Sequence, residues 1–271
     1  MGRRLGRPVI AVWILAALAS GVSCGVLGVY LVGFEMPLLG IAMAHAALAG
    51  AVVAHLAHLP AAPLAAAAAM VAGVALARLA RSRARADLGA LTSIILSVSM
   101  GVAFLGIGMA RGEMSDLLAL LWGNILFVRR AEAAALVVLV GALWAFLYFA
   151  GPMLDALIFS RRSEAWAFDP RYVLAGFMAL AALVITANLQ FVGGLLIYAL
   201  LANPAAAAYE LAESMAGVRR LAVAFSVAAT LGGLGVSWLL NLPTGACVVL
   251  LSALIYAFAL AARRIPRAHV S

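Results

Sequence analysis

Apolar runs of about twenty residues recur from one end of the chain to the other, and no other feature constrains its fold as much. A bilayer core about 30 Å thick takes about 20 apolar helical residues to cross. Inside it every backbone N–H and C=O must find a partner within the protein. Of 271 residues, 67% are hydrophobic and 10% are charged, with a mean hydropathy of +1.15. A soluble domain cannot bury that much apolar surface. The chain therefore reads as one all-α polytopic membrane domain over residues 1–271.

The runs predict nine spans, at about 8–32, 36–58, 61–80, 88–110, 131–150, 171–188, 191–208, 218–240 and 243–262. Three Arg precede the first run, so a signal peptide is an alternative there. The run is too long for a typical signal core, which favours a retained span. Gly21 and Gly25 within it form a GxxxG pair, a sign of close helix packing. The apolar part of RGEMSDLLALLWGNILFVRR is too short to cross and predicts an interfacial or re-entrant helix at about 115–127. The stretch GPMLDALIFSRRSEAWAFDPR, at 151–171, reads as the largest loop, with short amphipathic segments able to dock on a partner.

All 18 basic residues are Arg, and the net charge is +8. The Arg clusters fall between apolar runs, so membrane topology and lipid contact explain them better than nucleic acid. With the N-terminus outside, the loops at 78–85, 151–171 and 209–220 and the C-terminal tail lie inside and carry twelve of the 18. The positive-inside rule thus favours N-out, C-in, against the pull of Arg3, Arg4 and Arg7. Cys24 and Cys247 sit in apolar runs, match no metal-site spacing and read as core thiols.

The second run, GFEMPLLGIAMAHAALAGAVVAHLAH, holds the densest chemistry. Ala42, Ala46, Gly50 and Ala54 recur four apart and line one stripe, which lets another helix approach closely. His45 lies beside that stripe at mid-membrane depth. An ionisable group there is a functional candidate by default, the alternative being a packed, hydrogen-bonded core histidine. His55 lies about 15 Å further along the helix, so it and His45 cannot hold one ion from this helix. His55 and His58 are three apart and can share an ion; the other reading is two interfacial histidines facing headgroups. Oxygen donors elsewhere are Asn188, Gln190, Asn203 and Glu35. Gly193, Gly194 and Pro204 mark either a broken helix beside a pathway or simple packing.

No HExxH, P-loop, GxSxG or paired-carboxylate motif is present, which disfavours an intramembrane enzyme. A chain with no nucleotide site and a large docking loop looks like the membrane half of a two-component machine. Four segments then resemble, in order, those of the permease subunits of ATP-binding-cassette importers for zinc, manganese or iron, the ABC-3 family. These are LLGIAMAHAALAG at 38–50, LWGNILF at 121–127, VGGLLIYALLANPAAAA at 192–208 and LPTGACVVL at 242–250.

The resemblance implies a fold similar to the cobalamin and siderophore importer permeases. It implies a homodimer in the bacterial cytoplasmic (inner) membrane with its pathway on the twofold axis. It also implies two ATPase subunits on the inner face and a periplasmic or lipid-anchored metal-binding protein outside. No permanently bound cofactor is implied. The family's coupling segment falls at 151–170 and places Arg161, Arg162, Ser163 and Glu164 against the ATPase by position. The family's Asp and His, four apart, would meet one divalent ion, but here Ile41 stands at the Asp position. His45 must then recruit partners from other helices or the second protomer, with Asn188 and Gln190 among the donors. Imidazole without carboxylate favours zinc, then manganese or iron. The competing reading is a self-contained secondary transporter of the drug/metabolite type, a class that commonly shows an inverted repeat, which is not evident here.

Overall fold

A computed structural model describes residues 7–82, 85–109, 123, 128–159, 170–194 and 196–263. Among these residues there are nine helices and no strand. They are α1 (Arg7–Gly33), α2 (Pro37–Leu56), α3 (Ala61–Ser82), α4 (Arg85–Met109), α5 (Arg130–Phe159), α6 (Pro170–Val192), α7 (Ile197–Leu211), α8 (Met215–Leu240) and α9 (Thr244–Arg263). Seven are long and apolar enough to cross a membrane. The other two are α3, whose apolar part is Ala61–Leu76, and α7, which has 15 residues.

Local chemistry sets the boundaries. Pro37 opens α2 at a position where its missing N–H costs nothing. The Ser214 hydroxyl accepts the Gly217 N–H at 3.2 Å and caps α8. Asn241 closes α8 in the left-handed conformation, φ 54°. Ser237 then ties the α8–α9 turn together, donating to the Leu242 carbonyl at 2.6 Å and lying 2.9 Å from the Thr244 hydroxyl.

Helices α1 and α2 form the centre. α1 packs on α5, α7 and α8, and α2 on α3, α4 and α6. Tyr30, Leu27, Leu31, Leu39, Met43 and Leu48 are among the largest fully buried side chains. Small residues allow this closeness. A methyl at Gly21 would lie 2.8 Å from the Val227 backbone of α8, and one at Gly25 would lie 2.8 Å from the Ala222 carbonyl. The GxxxG pair is thus the α1–α8 contact.

Helices consecutive in the chain alternate in direction. One end of the bundle gathers the α1–α2 turn, the ends of α5 and α7 and the start of α8, with Arg78, Arg219, Arg220 and Arg263. The opposite end gathers the α2–α3 and α8–α9 turns.

Two expectations change. The stretch from Gly151 to Phe159, expected as loop, continues α5 through Pro152. At 30 residues, about 45 Å, α5 exceeds the hydrocarbon core and projects from it. The polar cluster expected to end a span at 188 lies inside α6, and the break falls at Gly193, φ 94°. The Gly193 carbonyl accepts from Leu196 and Ile197 and so starts α7. Pro204 lies buried within α7 and does not interrupt it. The expected helix at 115–127 lies outside the described residues, apart from Gly123, whose Cα packs on the backbone at Val192 and Gly193.

Candidate functional site

His45 sits on the second turn and a half of α2 and is 1% exposed. Its Nδ1 lies 3.0 Å from the Ile41 carbonyl. A carbonyl only accepts, so Nδ1 carries the proton and the neutral ring keeps its lone pair on Nε2. Metal-binding histidines are held this way, with one ring nitrogen bonded to a carbonyl and the other free to coordinate. Residue 41 supplies no carboxylate, yet its backbone orients the imidazole.

The small-residue stripe has a different partner. A methyl at Gly50 would meet the Leu64 carbonyl at 2.7 Å and the Ala65 Cα at 3.0 Å, both on α3. Ala42, Ala46 and Ala54 are buried along the same helix. The stripe is the seat of α3.

The remaining candidates are spread out. His55 is half-buried in the last turn of α2. His58 is exposed and takes φ 55°; its N–H bonds the His55 carbonyl at 3.1 Å, and Leu59 N–H reaches Ala54 at 2.8 Å. His58 is therefore the residue that terminates α2, a place usually given to Gly or Asn. Asn188 is fully buried between α6 and α1. Its amide donates to the Ser23 hydroxyl at 3.1 Å and the Val184 carbonyl at 2.8 Å, and its Oδ1 has no hydrogen-bond partner. Gln190 lies in the last turn of α6. Asn203 donates to the Ser252 hydroxyl at 3.0 Å and ties α7 to α9. Glu35 occupies the α1–α2 turn with φ 58°. Among the described residues no group of three or more His, Cys, Asp or Glu comes together to hold a metal. Arg161, Arg162, Ser163 and Glu164 lie outside the described residues.

A cavity of about 260 Å³ opens between α2, α3, α5 and α6, lined mostly by alanines, including Ala51, Ala61 and Ala65. Its Thr186 hydroxyl bonds its own helix at Ala182, and its Glu132 is paired with Arg129. The rest of its wall is apolar.

Sequence reasoning missed one cluster at the arginine-rich end. Arg219 Nη1 lies 2.5 Å from Asp155 Oδ2 and 3.4 Å from the Tyr30 hydroxyl, and Tyr209 donates to the Val29 carbonyl at 2.9 Å. The available signal was Asp155, an acidic residue following an apolar run of some twenty residues in a chain with ten acidic residues.

Long apolar helices packed through small residues, with an oriented imidazole at their centre, define a polytopic membrane protein. The chain belongs to the ABC 3 transport family, whose sequence profile matches residues 8–263. It is 28% identical over 246 residues to the manganese transport system membrane protein MntC of Halalkalibacterium halodurans, covering 90% of this chain and 84% of that one. It is 30% identical over 266 residues to the chelated iron transport system membrane protein YfeD of Yersinia pestis, covering 91% and 83%. Its fold matches a solved structure of PsaBC from Streptococcus pneumoniae in complex with Fab, with a TM-score of 0.82, 23% identity and coverage of 93% and 91%.

Proposed function

We propose that this chain is the permease subunit of an importer for a divalent first-row transition-metal ion, working in the bacterial cytoplasmic (inner) membrane. The observation that carries the reading is His45, buried at the centre of α2 with its Nδ1 proton on the Ile41 carbonyl. In that tautomer Nε2 keeps a lone pair available to a passing cation. Because His45 is enclosed within its own protomer, further ligands for the ion would come from neighbouring helices of the same bundle. The spare Oδ1 of Asn188 is an oxygen acceptor buried within the protomer.

The surface of α4 supports a homodimer. Gly89, Ser93, Ser97, Gly101 and Gly108 run along its exposed side, and methyls at the three glycines would meet nothing. The serine hydroxyls bond back to Gly89 at 2.9 Å and Ser93 at 2.8 Å, leaving a small-residue face from Gly89 to Gly101, suited to a second helix, with exposed Leu105 beyond it.

The arginine-rich end faces the cytoplasm in this reading. There the projecting end of α5 leads into residues 160–169, where two ATP-binding-cassette ATPase subunits dock. At the opposite end His55 and His58 receive the ion from an extracytoplasmic metal-binding protein. The names of the relatives support manganese or iron as cargo. An imidazole without a carboxylate favours zinc.

The test is uptake into vesicles holding the permease with its ATPase, supplied with the metal-binding protein and zinc, manganese or iron(II) in separate arms. ATP-dependent uptake of one or more of these ions is expected, and the arm with the highest kcat/KM identifies the cargo. Uptake by the permease alone, driven by a proton or sodium gradient, would overturn the reading in favour of a secondary transporter.

A further inference from the structure

We infer that Tyr30, Asp155 and Arg219 form a positioning joint that passes movement of the inner ends of α5 and α6 to α1, and through its short turn to the His45 helix. The inference rests on the functional reading above, because α5 and α6 flank the segment proposed to meet the ATPase.

The last turn of α1 is held from four sides. From α5, Asp155 bonds Arg219, Gly151 lies beside the Tyr30 hydroxyl, and Ile158 packs on Gly33. From α6, the Phe177 ring meets Tyr30 edge-on at 5.4 Å and Phe34 at 6.5 Å. From α7, Tyr209 bonds the Val29 carbonyl and presses on Gly33. From α8, Arg219 reaches both Asp155 and the Tyr30 hydroxyl. Both helices bordering the proposed docking segment thus converge on one tyrosine, which is 1% exposed.

The route onward to α2 is short and hydrogen-bonded. Phe34 N–H bonds the Tyr30 carbonyl, and Met36 N–H bonds the Leu31 carbonyl, both at 2.9 Å. α2 begins at the next residue, Pro37, and reaches His45 two turns later. Glu35 takes positive φ in that turn.

The joint is polar where packing alone would hold the helices. Asp155 and Arg219 side chains are 22% and 27% exposed, and Asp155 Oδ1 is buried without a hydrogen-bond partner. A half-satisfied carboxylate is a poor way to maximise stability but a good way to keep two arrangements close in energy. A shift of α5 can move the Asp155 bond from one oxygen to the other, and Arg219 and Tyr30 must follow.

The experiment uses the full complex of permease, ATPase and metal-binding protein, and reads metal delivered per ATP hydrolysed. Tyr30→Phe keeps the ring on Phe177 and removes only the hydroxyl; Asp155→Asn keeps the shape and removes the charge. Each is expected to leave assembly and basal ATP hydrolysis within about twofold while lowering metal delivered per ATP by about three- to tenfold. The double variant is expected to be no worse than Asp155→Asn alone, because both act through one joint. Unchanged delivery per ATP in Tyr30→Phe would overturn the inference. So would an equal fall in hydrolysis and uptake accompanied by a lower Tm, which marks a structural role only. Absence of ATP-dependent uptake by the unaltered complex would instead overturn the functional reading, and the joint with it.

Discussion

His45 is held by the carbonyl of the residue that fails to supply a carboxylate, and that arrangement makes Ile41 the informative position. In His45→Ala, uptake should fall at least about tenfold while the dimer still assembles, as expected for loss of an intramembrane ligand. Unchanged kcat/KM in that variant would remove His45 from the pathway. Ile41→Asp should place a carboxylate one turn before the imidazole and shift uptake toward manganese relative to zinc, measured by competition between the two ions. His58 carries two roles that one substitution separates. His58→Asn keeps a residue that tolerates positive φ and removes the imidazole. It should raise KM for the ion and leave kcat and Tm unchanged; an unaltered KM would reduce His58 to a helix terminus. Much of this was legible in the chain. The stripe, the lone imidazole and the missing Asp are visible as letters. The proton on Nδ1 and the left-handed His58 are not, because both depend on where a carbonyl points.

Among the helices, small residues decide which pairs touch. Gly50→Leu should force α2 and α3 apart and cost about 1–3 kcal/mol, read as a lower Tm in detergent. Gly101→Leu sits on open surface within the protomer, so it should leave the protomer's Tm unchanged and weaken the dimer in native mass spectrometry. A dimer as stable as before would exclude this face of α4 from the twofold interface. The stripe on α2 was readable by its spacing of four, but its partner was not. A spacing identifies a face that another helix can approach, and only the packed bundle chooses α3 for it. The break at Gly193 shows the same limit. Paired glycines announced an interruption, but the polar residues before it pointed to an earlier helix end than the structure shows. In α6 Thr186 bonds back to Ala182, and Asn188 bonds Val184 and, across to α1, Ser23, so polarity there does not mark a loop.

Across the whole molecule, the charge at the two ends sets its orientation. A cysteine at Leu59, in the α2–α3 turn, should react with an impermeant thiol reagent from outside intact cells. One at Arg220, at the opposite end, should react only after permeabilisation. The reverse pattern would invert the topology and remove residues 160–169 from reach of a cytoplasmic ATPase. The sequence by itself determined the class, the order of the apolar helices and the family. Those follow from run length, from the bilayer's demand that backbone groups be bonded internally, and from four ordered segments. Only the tertiary structure decided which surfaces meet. It made Asp155, read as part of a loop, one end of an ion pair to Arg219 on a helix more than sixty residues away. Spacing along one helix governs what lies on a face. What that face touches depends on close packing of all nine helices among the described residues, and no local pattern encodes it.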